Sequence, residues 1–458
     1  MTSQEQSYNK YIHQYSEPET ILGKWIVDLT HEEGAFDRLL VVPLCSEREA
    51  FPFMMQSVVE AVSKHSLNIL LILVVNHRKD SPDWMQENNR VFLEEWGRKL
   101  EEKKFHPSTG AFFGKYKSLQ ILFVDRATIG REFPEKQGVG LARKIGCDIA
   151  FFLWFANKSI APFAFTSDGD AVLPQDYFVG FDWKVLVDEH VSAVTFPFEH
   201  FELASMNKNE IRAMHAYDFY LRYYQQGLEN SGSPYAYQNI GSTICFSLSF
   251  YGKVRGFPKK QAGEDFYFLN KLRKMGPIRE KKGNTIQLQG RPSIRVPFGT
   301  GKSIINIAGT LAKGEEYLIY HPHVFKILKI LLEEVDHFCE FKNYHRFLVA
   351  CEKRFLLNKL YYCEKNFFNI NDLNEIMVNL GLKDFLQNKI NQVMSQNVYQ
   401  FMVWFDSFKT LKFVHELRDK FFPSIAILSA HLSTSDWKVI HAKKGISING
   451  NRINSLHH

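Results

Sequence analysis

Residues 162–178 read PFAFTSDGDAVLPQDYF, an apolar run followed by two aspartates, Asp168 and Asp170. We expect the run to end a strand, where both carboxylates point the same way because side chains alternate along a strand. Two hard oxygen ligands on one side suit Mg²⁺ or Mn²⁺ carrying a diphosphate. Gly169 between them leaves room for a ligand to approach the backbone. The alternative is a solvated turn, because turns favour Asp and Gly.

Further apolar, β-rich runs lie on both sides of this stretch and alternate with helical patterns. The runs cover residues 39–44, 69–75, 121–124, 163–166 and 193–198. The helical patterns cover residues 51–64, 88–104 and 138–155, and Ser46 and Glu49 precede the first of them at capping-box spacing. This alternation predicts an α/β fold with a mainly parallel sheet flanked by helices. Ligands bind beyond the carboxyl ends of such strands, so residues 43–47, 76–80 and 168–170 are expected to face one crevice.

The character of the chain changes after residue 314. Helical periodicity without a convincing strand covers residues 319–334, 337–357, 373–396 and 398–421. The length of 458 residues is too great for one ordinary core. We therefore predict four parts, namely an N-terminal arm (1–36), an α/β domain (37–314), an all-helical C-terminal domain (315–432) and a polar tail (433–458).

Bulk composition excludes several classes of protein. The sequence contains no run of about 18 apolar residues, and its start, MTSQEQSYNK, lacks the apolar core of a signal peptide, so we predict a cytoplasmic protein without a transmembrane segment. Six cysteines without a C-x-x-C pair argue against a zinc ribbon or a disulfide framework. A net charge of +6 without a dense basic tract argues against nucleic acid as a partner. The composition is compatible with an anionic ligand, with peripheral membrane contact and with an oligomer.

Four local patterns occur in one order and carry a family resemblance. They are VVPLCSERE, GVGLARKIGCDIA, TSDGDAVLPQDYF and AGEDFYFLNKLRKMGPI. Together they resemble the family 2 glycosyltransferases with the GT-A fold, which use nucleotide sugars. The resemblance covers about residues 37 to 300 and is carried by the order and spacing of the patterns. It implies a Rossmann-like GT-A domain, a nucleotide-sugar donor, a hydroxyl acceptor and Mn²⁺ or Mg²⁺ as cofactor.

The resemblance also implies roles for residues of the donor site. Pro43 and Glu47 match the opening loop that meets the base and ribose, although Glu47 also fits a role in capping the following helix. At the second strand the family usually carries an acidic residue, and here Asn76 or Asp80 stands in its place. Arg143 lies where the family has an Arg-rich helix start beside the diphosphate. For the neighbouring Lys144, a solvated helix face paired with Asp148 is the favoured interpretation.

Asp168 and Asp170 match the family's metal and diphosphate pair, where a cation neutralises charge on the leaving nucleoside diphosphate. Glu264 and Asp265 match the acidic pair with which inverting members place the catalytic base. An acceptor hydroxyl needs such a carboxylate to take its proton. We predict that Asp265 is the catalytic base, and Glu264 is the second candidate for this role. The alternative is that both merely favour the start of a helix electrostatically.

Other residues extend the predicted site. Gly241 and Ser242 lie in a segment that resembles the acceptor side of the family, where they let sugar or acceptor approach or simply end a strand. The loop GRPSIRVPFGTGKS offers Arg291 and Arg295, whose guanidinium groups suit phosphate. Either histidine of YHPHVF is a candidate third metal ligand, and we choose His323. The competing hypothesis is a catalytically silent GT-A-like binding module acting through its helical C-terminal part.

Overall fold

The computed structural model of the protein describes residues 3–293, 295, 299–335, 344–358, 368–389 and 394–427. The predicted polar tail lies outside these residues, as do residues 337–343 and 390–393 of two predicted helices. The chain forms two compact units, one of residues 1–205 and 239–302, the other of residues 206–238 and the chain from 303 onward. Within the described ranges, none of the helices combines the length and apolar character needed to cross a bilayer.

The first unit is built on a nine-stranded sheet with the strand order β11-β8-β10-β6-β1-β2-β5-β4-β3. The strands of this unit are β1 (Arg38–Leu44), β2 (Ile69–Asn76), β3 (Glu101–Phe105), β4 (Phe112–Tyr116), β5 (Leu119–Arg126), β6 (Phe163–Thr166), β7 (Ala171–Val172), β8 (Ala193–Thr195), β9 (Phe198–Phe201), β10 (Ile244–Ser247), β11 (Ile278–Glu280) and β12 (Ile286–Gln289). The central strands β6, β1, β2 and β5 are parallel neighbours. Strand β10 is antiparallel to β6 and β8, and β4 is antiparallel to β3 and β5. A small second sheet has the order β7-β12-β9.

Helices occur in both units. In chain order they are α1 (Ser3–Gln14), α2 (Ile21–Leu29), α3 (Phe51–His65), α4 (Asp83–Lys99), α5 (Val139–Phe155), α6 (Trp183–Asp188), α7 (Lys208–Asn230), α8 (Leu248–Lys253), α9 (Glu264–Arg273), α10 (Thr300–Ala312), α11 (Pro322–Glu333), α12 (Tyr344–Leu357), α13 (Ile370–Asn379), α14 (Leu382–Lys389), α15 (Met394–Trp404) and α16 (Ser407–Lys420). The predicted fold class, a mainly parallel sheet flanked by helices and followed by a helical region, is confirmed.

The central strands form because their apolar runs are covered on both faces. All eight residues of β2 are buried, which explains why its sequence lacks polar alternation. The predicted fifth run, 193–198, is wrong as a single strand. It divides at residues 196–197 into β8 of the large sheet and β9 of the small one. The predicted helix 88–104 starts earlier and ends at Lys99, and residues 101–105 form the edge strand β3 instead.

Helix α5 is buried on nearly every side. Its residues 140–151 are all buried, because the helix packs on β1 and β2 and is also contacted by α1, α2, α8 and α9. The expected Lys144–Asp148 pair forms, with Nζ 3.0 Å from Oδ2, but the prediction that it lies on a solvated face is wrong. The hydroxyl groups of Tyr11 and Tyr251 donate to Asp148 Oδ1 at 2.5 and 2.6 Å. The N-terminal arm therefore closes over a buried charged pair.

The second unit consists mainly of helices. Helix α11 has an apolar sequence and packs against α7, α12 and α16. Its Phe325 contacts Gly227 of α7 so closely that a Cβ at this glycine would lie 2.6 Å from the ring. The unit is not entirely helical, because two short strands, β13 (Leu318–Ile319) and β14 (Ile425–Ala426), pair in antiparallel fashion.

Candidate functional site

The candidate site lies at the carboxyl ends of β6, β1 and β2. Strand β1 lies between the other two and runs parallel to both, so the segments that follow these strands leave the same edge of the sheet. Asp168 and Asp170 follow β6, Glu47 follows β1, and β2 ends at Asn76. Ligands of open α/β sheets bind at this edge.

Asp168 and Asp170 lie in a tight turn between β6 and β7. The backbone N–H of Ala171 donates to the Asp168 carbonyl oxygen at 3.2 Å. The prediction that these residues continue an extended strand is therefore wrong, because Asp and Gly favour a turn as soon as β6 has ended. The space beside Gly169 is filled by the protein itself. A Cβ there would lie 2.4 Å from Leu44 Cδ2, so this glycine admits a neighbouring side chain and not a ligand.

Arg143, near the start of α5, connects two acidic segments. Its side chain is only 3% exposed. The Nη2 atom donates to Asp168 Oδ1 at 2.5 Å, and Nε donates to Glu264 Oε1 at 2.8 Å. The Nη1 atom donates to Thr166 Oγ1 at 2.8 Å and to the carbonyl oxygen of Ser167 at 3.2 Å. The planar guanidinium thus holds both carboxylates in one fixed geometry.

Glu264 and Asp265 form the first turn of α9. The start of α5 is held beside the segment that leads into α9, because Gly140 N donates to the Lys260 carbonyl oxygen at 3.1 Å. Glu264 is buried and bonded to Arg143, whereas Asp265 is half-buried and accepts the backbone N–H of the next residue at 2.7 Å. Of the two carboxylates, that of Asp265 has the greater access to solvent.

Burial changes the acidity of these carboxyl groups. Burial first, and then the neighbouring charge of Glu264, raise the pKa of Asp265 to about 7. Burial also raises the pKa of Asp168, although the Arg143 guanidinium opposes that rise. Burial would lower the pKa of Arg143, but the charges of Asp168 and Glu264 raise it above its ordinary value. Arg143 therefore stays charged while Asp265 is poised to exchange a proton near neutral pH.

Glu47 is held by two arginines from the segment after β12. Arg291 Nη2 donates to Glu47 Oε2 at 2.5 Å and to Asp170 Oδ2 at 3.1 Å. Arg295 Nη1 donates to Glu47 Oε1 and, at 2.9 Å, to the Cys45 carbonyl oxygen. Burial and the charge of Asp170 raise the pKa of Glu47 to about 7, against the influence of both arginines. The arginines predicted to bind phosphate therefore pair with carboxylates of the same site.

The predicted capping box before α3 is wrong. The helix has Ala50 as its N-cap, without a side-chain capping bond. Ser46 lies too far ahead of the helix to cap it and adopts a left-handed conformation with φ 55°. Its backbone N–H donates to Asn89 Oδ1 at 2.9 Å. Glu47 likewise uses its carboxylate for the arginines and not for capping.

Pro43 and Asn76, both predicted to bind the nucleotide, take part in the sheet. Pro43 lies within β1 and is buried, paired in register with β2. The Asn76 amide donates to the Leu44 carbonyl oxygen at 3.1 Å and so connects the ends of the two strands. Asp80, the alternative to Asn76, is exposed and accepts from Arg78 Nε at 2.8 Å. Their nucleotide contacts stay predictions.

The candidate donor set for a metal ion consists of the two carboxylates of Asp168 and Asp170. Among the described residues, no group of three or more His, Cys, Asp or Glu side chains is placed to hold a metal ion. Asp168 and Asp170 fit Mn²⁺ or Mg²⁺ all the same, because Mg²⁺ often takes one or two carboxylates from a protein and the rest from phosphates and water. His323 lies in α11 of the second unit, where its backbone N–H donates to His321 Nδ1 at 3.1 Å. Burial, with a contribution from His321, lowers the pKa of His323 to about 4, and its role as third ligand stays a prediction.

Two contacts of Arg143 are absent from the sequence-based predictions. The first is the support that Thr166 and Ser167 give to Arg143, for which the only signal is two polar residues directly before the acidic pair. The second concerns Gly241, predicted to let sugar or acceptor approach. It lies against Arg143, and a Cβ there would be 2.4 Å from Nη2. Ser242 beside it is buried, with 1% exposure.

Comparison with known proteins gives weak likenesses only. No protein-family model matches the sequence, and no curated protein matches it. Among solved structures, glucosyl-3-phosphoglycerate synthase of Mycobacterium tuberculosis is similar, with 13% identity and a TM-score of 0.29 over 64% of this chain and 89% of that one. The same synthase in complex with Mn²⁺, UDP-glucose and phosphoglyceric acid has 12% identity and a TM-score of 0.31, over 64% of this chain and 87% of that one. The UDP complex of this synthase has 11% identity and a TM-score of 0.29, over 64% of this chain and 87% of that one. Similarity at this level does not assign the chain to a family.

Proposed function

We propose that the protein is a glycosyltransferase that moves a sugar from a nucleotide-sugar donor to a hydroxyl acceptor. The observation that carries the proposal is that Arg143 donates one hydrogen bond to Asp168 and another to Glu264. It brings an acidic pair suited to a diphosphate and a cation beside a second acidic pair suited to proton transfer. The first pair follows β6 at the carboxyl edge of the sheet, where ligands of such sheets bind, and Arg143 connects the second pair to it.

Asp168 and Asp170 are proposed to hold Mn²⁺ or Mg²⁺ together with the donor diphosphate. The ion would supply positive charge that stabilises the leaving nucleoside diphosphate. Arg291 and Arg295 are proposed to contribute donors to the phosphate oxygens, because a guanidinium offers paired N–H groups to oxyanions. The ion pairs of Arg291 with Glu47 and Asp170, and of Arg295 with Glu47, support this proposal, because they hold both guanidinium groups beside the carboxylates of the candidate site.

Asp265 is proposed as the general base. It would accept the proton of the acceptor hydroxyl as that oxygen forms a bond to the anomeric carbon and the bond from this carbon to the diphosphate oxygen breaks. Attack on the face opposite the leaving group inverts the anomeric configuration. Asp265 suits this task because it is half-buried and its pKa is raised to about 7, close to the pH at which a base exchanges protons efficiently.

One observation favours the alternative, a silent binding module. Glu47, Asp168 and Asp170 already have guanidinium partners, so three of the carboxylates proposed to meet the donor are charge-compensated within the chain. A protein that no longer bound a cation could keep such a network as a structural tie. The intact carboxylate of Asp265 weighs against this alternative, because none of these three ion pairs involves it.

The test is calorimetric titration of UDP-, GDP- and other nucleotide sugars with and without Mn²⁺, followed by an assay of nucleoside diphosphate release. The variant is the double substitution Asp168→Asn/Asp170→Asn, which keeps side-chain size, and the control is Asp28→Asn at an exposed position. We expect Mn²⁺-dependent binding in wild type and control and its loss in the double variant. If folded wild-type protein bound none of the donors, the silent module would replace the enzyme as the better account.

A further inference from the structure

We propose that Arg143 is a positioning residue, which sets the spacing between the diphosphate-binding Asp168 and the base segment of Glu264 and Asp265, and that Gly241 provides its seat. The inference rests on the proposed function and deepens it. The sequence resemblance places Arg143 beside the diphosphate as a direct ligand. The contacts in the structure support a different role.

Arg143 is directed into the protein and not towards a ligand. Its side chain is 3% exposed, and Nε, Nη1 and Nη2 each donate to acceptors of the chain itself. A guanidinium buried in this way influences a bound donor only through the groups it holds. The groups it holds are Asp168 on one side and Glu264 on the other, next to Asp265.

The seat of the guanidinium is a short 3₁₀ turn, Gly241–Thr243, that leads into β10. Because β10 pairs with β6 at Ile244 and Thr166, this turn lies beside the strand end that carries the Arg143 partners. A Cβ on Gly241 would lie 2.4 Å from Nη2, 2.8 Å from Cζ and 3.0 Å from Nε of Arg143. The three atoms nearest to a Cβ at position 241 all belong to Arg143, so the guanidinium must shift to admit it.

This geometry separates positioning from direct binding. If Arg143 positions Asp168 and the base segment, a displaced guanidinium leaves donor binding largely intact and slows the chemical step. A misplacement of about 1 Å costs on the order of 100-fold in rate. If Arg143 bound the diphosphate itself, the same displacement would weaken donor binding and raise KM.

The experiment compares Gly241→Ala, Arg143→Lys and the double variant of both in the full-length protein, with the kcat and KM of donor turnover as readouts. Lysine keeps the charge but lacks the fork that reaches two carboxylates. Gly97→Ala is the matched control, because a Cβ there has no neighbour closer than 3.9 Å. Calorimetric binding of the nucleoside diphosphate with Mn²⁺ gives a second readout that does not depend on turnover.

We expect Gly241→Ala and Arg143→Lys each to lower kcat about 10- to 100-fold while KM changes less than about 3-fold. The double variant should match Arg143→Lys alone, because the added methyl group then has no guanidinium to displace. Wild-type kcat in Gly241→Ala would overturn the inference, and so would a loss confined to KM and binding. If Arg143→Lys did not fold, Gly241→Ala alone would decide. Absence of donor turnover and binding in the wild type would instead overturn the proposed function and the inference with it.

Discussion

Arg291 and Asp170 form an ion pair, with Nη2 of the arginine 3.1 Å from Oδ2 of the aspartate. Asp170 is one of two carboxylates proposed to hold a cation. The positively charged guanidinium of Arg291 therefore lies beside the proposed cation site. The same Nη2 atom lies 2.5 Å from Glu47 Oε2. A cation held by Asp170 would therefore compete with Arg291, and a bound diphosphate would relieve this competition by giving the arginine a new partner.

The first prediction concerns this competition. Arg291→Gln should raise the affinity of the donor-free protein for Mn²⁺ about tenfold, because it removes a charge-assisted bond to Asp170 worth about 1.5 kcal/mol. The same substitution should weaken binding of a nucleoside diphosphate in the presence of Mn²⁺. Electron paramagnetic resonance of free Mn²⁺ measures the first effect and calorimetry the second. Arg90→Gln, on the exposed face of α4, is the control. Weaker Mn²⁺ binding in Arg291→Gln would show that the arginine supports the cation and does not oppose it.

The second prediction concerns the pH dependence of turnover. A base must be deprotonated to act, and the pKa of Asp265 is raised to about 7 by burial and by Glu264. We therefore expect kcat/KM to rise with pH up to about 7 and to level off above it. Asp265→Asn should lower kcat by about 100- to 10,000-fold, and this loss should be present at every pH. If Glu264→Gln, and not Asp265→Asn, abolished turnover while donor binding persisted, Glu264 would be the base.

The central sheet could be predicted because its signals are local. The runs 39–44 and 69–75 are apolar without alternation, as strands covered on both faces are, and both form strands of the parallel centre. Strand β3 could not be recognised in the same way. Its sequence, EEKKF, is exposed along its whole length at the sheet edge, so it carries no burial pattern and reads as the end of the preceding helix.

The site residues could be chosen by type, but their partners could not. Asp168, Glu264 and Arg143 stand out in the sequence as residues suited to a diphosphate enzyme, whereas the bonds that join them connect distant segments. The same holds for Lys144, which looks solvated when only its own helix is considered. It is buried because Tyr11, from another part of the chain, covers it. Local spacing carries no information about such covering.

The third prediction concerns stability and the carboxyl group of Glu47. Its pKa in the folded protein is raised from 4.5 to about 7, first by burial, so the folded state binds a proton that the unfolded state releases between these two values. This contribution to stability is fully present below pH 4.5 and is lost as the pH rises through about 7. Glu47→Gln should therefore flatten the fall in the free energy of unfolding between pH 5 and 8 by on the order of 1–3 kcal/mol. Calorimetric unfolding at several pH values, with the exposed Glu60→Gln as control, measures this difference. An unchanged slope in Glu47→Gln would contradict it.

The fourth prediction concerns the buried pair of Lys144 and Asp148 beneath the N-terminal arm. Asp148 accepts from Lys144 Nζ, from the hydroxyl groups of Tyr11 and Tyr251, and from the backbone N–H of Glu17 at 2.7 Å. Asp148→Asn leaves a buried ammonium group without its counter-charge and should destabilise the protein by about 3–5 kcal/mol. Tyr11→Phe removes two hydrogen bonds, the one that its hydroxyl donates to Asp148 and the one that it accepts from Lys144 Nζ, and should cost about 1–3 kcal/mol.

A double variant separates the charge effect from packing. Lys144→Met/Asp148→Leu fills the same space without charge, so it should recover more than half of the stability that Asp148→Asn loses. Urea unfolding of each variant gives the free energies, and Asp28→Asn, at an exposed position of α2, is the control. If Asp148→Asn unfolded within about 0.5 kcal/mol of wild type, the pair would contribute little, because such small changes are typical of surface substitutions. If the double variant were no more stable than Asp148→Asn, the loss would come from the hydrogen bonds to Tyr11, Tyr251 and Glu17 and not from the unpaired ammonium charge.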